Sequence, residues 1–151
     1  MNESRVSPRG LYNWGNDFIQ SALIVCPMPN SQREEMILNI SIPAYYLLGH
    51  GLELLLKSYL LSKGESIKTL RNKYGHDLDK LFDESIKKDI QSYFLITNDE
   101  ITLLKLLNFS YSIKELEYFK SGTKKLPKYS SLCEFSLKFA KNIEKYINEY
   151  H

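Results

Sequence analysis

Residues 44–61, Ala44-Tyr45-Tyr46-Leu47-Leu48-Gly49-His50-Gly51-Leu52-Glu53-Leu54-Leu55-Leu56-Lys57-Ser58-Tyr59-Leu60-Leu61, decide the fold. The stretch is apolar on nearly every side, and a helix apolar all round belongs in the middle of a bundle. Gly64 follows as a natural C-terminal cap. A membrane span is the competing reading of such a run. However, Ile42 to Leu61 contains His50, Glu53 and Lys57, and charges at that depth are costly in a bilayer. The chain therefore reads as cytoplasmic and without a membrane partner.

On the N-terminal side, Tyr12, Trp14, Phe18, Ile19, Ala22 and Leu23 predict a first short helix, weakened by Gly15 and ended by Cys26-Pro27-Met28-Pro29-Asn30. Ser31-Gln32-Arg33-Glu34 is a capping box that opens a second helix. Pro43 either kinks that helix or starts a new one from its first turn. On the C-terminal side, Ser66 to Tyr74 predicts a short helix stopped by Gly75. Asp77 then caps a helix through Leu78, Leu81, Phe82 and Ile86. Thr97 to Glu100 and Ser131 to Glu134 are two further capping boxes. The stretch 110–129 reads as an irregular excursion. The last helix carries Leu132, Phe135, Phe139, Ile143, Tyr146 and Tyr150 on one stripe. No strand alternation persists. The expected fold is all-α, one single-domain bundle of about five to six helices over 1–151.

The 151 residues are enough for a real core, and 43% hydrophobic with 25% charged residues is ordinary for a globular protein. A net charge of +2 gives no global signature of nucleic-acid binding, so such a role must rest on local patches. Cys26 and Cys133 lack metal-ligand spacing and read as two buried free thiols; no metal site is expected. There is no glycine-rich phosphate loop, no G-x-S-x-G and no other cofactor motif, so no cofactor is expected.

Three constellations can carry chemistry. His50, Glu53 and Lys57 share one face of the apolar helix, with Glu53 and Lys57 in the favoured order for an i,i+4 pair. A structural salt bridge is the common use of such a pair; a polar stripe lining a groove is the alternative. Arg71 and His76 bracket the turn Arg71-Asn72-Lys73-Tyr74-Gly75-His76-Asp77-Leu78. On an unbroken helix they would point about 140° apart. They converge only if the helix ends near Tyr74 and Gly75 folds His76 back. Together they could bind a phosphodiester and move protons. The plain reading is a solvent-facing Arg and a His that satisfies a helix end. Finally, Lys120, Lys124, Lys125 and Lys128, flanked by Tyr118, Phe119 and Tyr129, suit single-stranded RNA, or form a solvated loop.

Residues 46–61 with Gly64, the Gly75-His76-Asp77-Leu78 turn, and Leu107-Asn108 through Tyr111 to Gly122 and Pro127 resemble the HEPN family of helical domains. Arg71 and His76 also match the R-x-x-x-x-H spacing of its ribonucleases, with a polar Asn72 directly after the Arg. The resemblance implies a HEPN-like bundle acting on RNA in a bacterial toxin–antitoxin or phage-defence setting. It implies a metal-independent endoribonuclease in which Arg71 stabilises the phosphorane, His76 is the acid/base and Asn72 orients them. Lys73 and the four loop lysines would bind RNA. It equally allows a non-catalytic dimeric module for protein, nucleotide or RNA binding, with a separately encoded protein partner. A homodimer is expected from the resemblance and from an aromatic surface of Tyr111, Tyr118 and Tyr129.

Overall fold

The computed structural model describes residues 5–37, 41–117 and 125–151. Among them every regular element is helical and no strand occurs, as the periodicity predicts. Eight α-helical segments appear in place of five or six, the additions being short ones that apolar periodicity cannot reveal. None of the described helices is long and apolar enough to cross a membrane.

The axis is α3, Ile42–Ser62. The Ser41 hydroxyl accepts from the Ala44 N–H at 3.3 Å, and Pro43 lies in the first turn. The proline therefore opens a new helix, where its missing N–H costs nothing. Leu48, Leu52, Leu55, Leu56 and Tyr59 of α3 are fully buried at the centre of the core. Against it lies α1, Pro8–Val25, capped by Ser7 and longer than its aromatic positions suggest. Gly15 weakens helix propensity but is needed for packing. A Cβ there would stand 2.9 Å from the Gly51 carbonyl oxygen, and one on Gly51 would stand 2.8 Å from that of Gly15. The two helices cross with their backbones in contact.

After α2, Gln32–Ile37, and α3, the chain forms α4, Ile67–Thr69, which runs directly into a π-helical turn, Leu70–Tyr74. Asp77 caps α5, Leu78–Lys87, accepting from the Lys80 N–H at 3.1 Å. A four-residue α6, Ile90–Tyr93, leads to α7, Asn98–Tyr111. Here the capping box is complete: Glu100 N–H to Thr97 Oγ1 at 3.2 Å, and Thr97 N–H to Glu100 Oε1 at 2.9 Å. At α2 only half of the box forms. The Ser31 hydroxyl accepts from Glu34 N–H at 3.1 Å, but the Glu34 carboxylate turns to the Asn30 N–H at 2.6 Å.

The third box is a correction. The last helix, α8, spans Tyr129–Tyr150, so Ser131 is inside it rather than at its start. Tertiary packing sets this start. The Tyr129 ring is buried with its hydroxyl donating to the Cys26 carbonyl, and the Tyr45 hydroxyl donates to the Pro127 carbonyl at 2.7 Å. The chain is thereby fixed in place before Ser131. Leu132, Phe135, Phe139, Ile143 and Tyr146 are buried as expected, whereas Tyr150 is 56% exposed. Cys26 and Cys133 are buried free thiols. Tyr111 and Tyr129 are each 4% exposed, so they belong to the core and do not form the aromatic surface expected of them. Tyr118 lies outside the described residues.

Candidate functional site

The π-helical turn shapes the site. Gly75 N–H donates to the Leu70 carbonyl at 3.2 Å, a bond spanning five residues instead of four. Gly75 then takes φ 54° and ψ −121°, a conformation that L side chains rarely adopt. The helix ends and the chain folds back at this glycine. His76 is the residue delivered by the turn, and its ring meets Glu53 of α3: Nδ1 lies 2.7 Å from Glu53 Oε1. The hydrogen bond that His76 makes is thus to Glu53, whereas Arg71, Asn72 and Lys73 stand exposed along the preceding turn.

Glu53 is the hub. It is 2% exposed and accepts from Lys57 Nζ at 3.1 Å on Oε2, and from the Tyr111 hydroxyl at 2.8 Å on Oε1, besides His76. Burial alone would push its pKa up. The Lys57 charge and the hydrogen bonds from His76 and Tyr111 outweigh that and hold it below the usual carboxylate value. Glu53 is therefore ionised. Burial, and then the adjacent Glu53 charge, push the Tyr111 phenol far up, so its proton stays on.

These assignments fix the rest of the network. Tyr111 has a single proton, and Glu53 takes it. The 3.2 Å contact between His50 Nδ1 and the Tyr111 hydroxyl must then run from the imidazole N–H to the phenol oxygen. His50 Nδ1 also lies 3.9 Å from Glu53 Oε2. Burial is the largest influence on this ring and lowers its pKa, so the contact is not an ion pair. Phe18 meets the His50 ring edge-on at 4.5 Å and Tyr46 stacks at 5.9 Å. At His76 the carboxylate demands a proton on Nδ1, so Nε2 is the ring nitrogen that Glu53 does not engage. That side chain is 45% exposed.

Two residues of α7 hold the arrangement. Tyr111 fits because residue 49 is glycine: a Cβ there would lie 2.6 Å from the Tyr111 ring. Asn108 Oδ1 accepts from the Leu78 N–H at 2.8 Å, and its Nδ2 donates to Asp77 Oδ1 at 3.1 Å. It pins the start of α5 immediately after His76. Neither residue stands out by type in the sequence. The signal is a polar residue and a tyrosine three apart on the buried face of α7, the tyrosine facing a glycine in α3.

The structure thus brings His76, one member of the second constellation, to the polar stripe of the first. His50, Glu53 and Lys57 are assembled with His76. Lys125 is exposed, with Nζ 5.9 Å from the Phe109 ring centroid, and Lys128 is exposed at the N-cap of α8. Lys120 and Lys124 lie outside the described residues. Among the described residues no group of three or more His, Cys, Asp or Glu is arranged to hold a metal ion. Compared with protein-family models, with curated proteins and with solved structures, the chain matches none.

Proposed function

We propose that this chain is an RNA-directed protein that cleaves a phosphodiester bond by proton transfer, with His76 as the acid/base. The observation that carries the reading is the hydrogen bond between a half-exposed His76 and a buried, ionised Glu53. A carboxylate behind an imidazole fixes its tautomer and stabilises the imidazolium once formed. Nε2 of His76 takes the proton from a ribose 2′-hydroxyl as the oxygen attacks the adjacent phosphorus. The imidazolium returns the proton to the departing 5′-oxygen, leaving a 2′,3′-cyclic phosphate. Arg71 on the neighbouring turn supplies a fork for the non-bridging oxygens. Asn72 and Lys73 extend the polar edge on which the strand lies. The chemistry of these groups requires no metal. The HEPN resemblance supports the same roles and extends them to a homodimer in a toxin–antitoxin or phage-defence system.

The test is cleavage of single-stranded RNA in EDTA. Loss of a general acid/base typically costs about 10²–10⁴ in rate. His76→Ala should lose most activity while retaining the fold. Arg71→Lys should be severely impaired, because it keeps the charge and loses the fork. Wild-type rates in both variants would make the turn structural.

A second reading has its own support. Glu53 joins α3, α7 and the Gly75 turn through three donors, as expected of a structural keystone in a non-catalytic dimeric module for protein, nucleotide or RNA binding. Absence of any RNA cleavage by the wild type would select it.

A further inference from the structure

Tyr74, the last residue of the π-helical turn, is 5% exposed, and its hydroxyl is buried without a hydrogen-bond partner among the described residues. Buried polar groups in folded proteins are almost always paired, so an unmet donor on a fixed phenol calls for a cause. The neighbouring Lys73 stands over the ring, with Nζ 5.1 Å from its centroid. The phenol oxygen stabilises that ammonium and raises its pKa. An ammonium can only donate. Toward Lys73 the oxygen therefore acts as an acceptor, and the phenol proton still has nowhere to go.

The same tyrosine lines a cavity of about 310 Å³ between the turn and α5. Lys73 lines it from the turn, and Lys80, Asp83, Glu84 and Lys87 line it from α5. Those four recur at helical spacing and so share one face of α5. Lys73 and Lys80 are exposed. Lys87 approaches Glu84 only to 3.9 Å, a loose pair that leaves its ammonium protons to spare. The three ammoniums outnumber the two carboxylates, so the cavity is net positive. The unmet phenol donor adds to the same imbalance. What the cavity lacks is an acceptor that carries negative charge.

We infer that this cavity binds the dianionic phosphoryl group of inorganic phosphate or of a small phosphomonoester. The Tyr74 hydroxyl donates to one oxygen, and Lys73, Lys80 and Lys87 surround the others. Hydrogen bonds to an ionised acceptor are about twice as strong as neutral ones, which suits a phenol with no other use for its proton. A phosphodiester is the poorer match. It carries one charge, and in a net positive site a dianion is attracted about twice as strongly. Its two substituents would also have to pass Asp83 and Glu84. The site shares only Lys73 with the edge assigned to RNA and does not depend on cleavage.

The experiment is a titration of the full chain with sodium phosphate at constant ionic strength, with sodium chloride as the blank for screening. It is read by NMR at the amides of Lys73, Tyr74 and Lys80 and by the change in Tm. Phosphate should shift all three amides to saturation and raise Tm. Tyr74→Phe should bind phosphate roughly tenfold or more weakly, the loss expected for one hydrogen bond to a charged group. Without phosphate the same variant should melt no lower than the wild type, because it gives up only an unpaired hydroxyl. Lys80→Gln, at an exposed position, should weaken phosphate as well. His76→Ala should bind phosphate as the wild type does, which separates this result from that of the RNA assay. Glycerol 3-phosphate identifies the source. Affinity at or above that of phosphate means a phosphomonoester, and clearly weaker affinity means the free ion. The inference is overturned if phosphate shifts none of the three amides beyond the chloride blank, or if dimethyl phosphate binds as tightly as phosphate. It is equally overturned if Tyr74→Phe binds phosphate as well as the wild type, or melts lower in its absence.

Discussion

Replacing Lys57 with Met tests whether the Glu53 cluster is the keystone that its geometry describes. The substitution keeps the unbranched stem that packs on α3 and removes only the ammonium 3.1 Å from Glu53 Oε2. Removing one partner of a buried ion pair costs about 3–5 kcal/mol, because the other charge is left in a poor environment. Two features place Lys57→Met at the lower end. The Lys57 side chain is 14% exposed, so part of its charge already reaches water, and Glu53 keeps its bonds from His76 and Tyr111. The expected loss is about 3 kcal/mol. For a chain of this length that corresponds to roughly 6–12 °C in Tm. The change also has a pH signature. A carboxylate with a depressed folded pKa adds stability above its unfolded value, and that contribution is lost as pH falls through the folded value. Without Lys57 the folded value rises, so the acid limb of the stability curve should move to higher pH. The assay is urea and thermal unfolding followed by circular dichroism at neutral and mildly acidic pH, with the m-value monitored for a two-state transition. Glu53→Gln in the Lys57→Met background should cost less than the two single effects added together. A Lys57→Met midpoint equal to that of wild type at neutral pH would show that Glu53 does not need the pair, and the reasoning fails.

Tyr111→Phe removes one hydroxyl that both donates to Glu53 and accepts from His50; a charge-assisted bond of this kind is worth about 1.5–3 kcal/mol, to be read by urea unfolding, and a loss near zero would mean that water replaces it without cost. Gly51→Ala should destabilise by at least about 1–3 kcal/mol, since the new Cβ meets a backbone oxygen that cannot rotate away; an unchanged melting temperature would contradict the crossing geometry. The His50 pKa is lowered by burial, with Glu53 raising it and His76 and Lys57 lowering it further. The unfolded chain therefore takes up this proton first, and stability should begin to fall as pH drops below about 6.5. His50→Gln should remove that part of the slope, and a slope unchanged in the variant would assign the titration elsewhere.

The fold was legible where one helix carried its own signals. The all-round apolar run over 44–61, the Thr97–Glu100 box and the Asp77 cap all depend on residues close in sequence, and all form; of the two readings left open at Pro43, the structure shows the helix opening. Where the competing influence was distant, local reading failed. Ser131 has the residues of a cap, but the buried Tyr129, held to Cys26, starts the helix three positions earlier, with Lys128 at the N-cap. The site was half legible. Spacing placed His50, Glu53 and Lys57 on one face, and Gly75 marked a reversal that would redirect His76. That the reversal delivers His76 to Glu53 depends on how α5 docks through Asn108, a contact thirty residues away with no local signature. Tyr111 was read as a surface aromatic, and its burial against Gly49 and Glu53 depends on the same kind of distant packing.

The glycines of α3 have one more consequence. Gly51 is held against α1 and Gly49 against Tyr111, and residues two apart on a helix face nearly opposite directions. The axial helix is therefore gripped from both sides by notches one side chain deep, which sets its rotational phase as a key is set by its wards. Glu53 lies one turn beyond Gly49, so its aim at His76 is a matter of angular register and not of its own rotamer alone. A helix rolled by one residue would retain its length, its hydrogen bonds and most of its apolar contacts, yet would carry the carboxylate about 100° off target. The contact between Glu53 and His76 is in this sense set from both sides of the axial helix, by two positions that have no side chain at all.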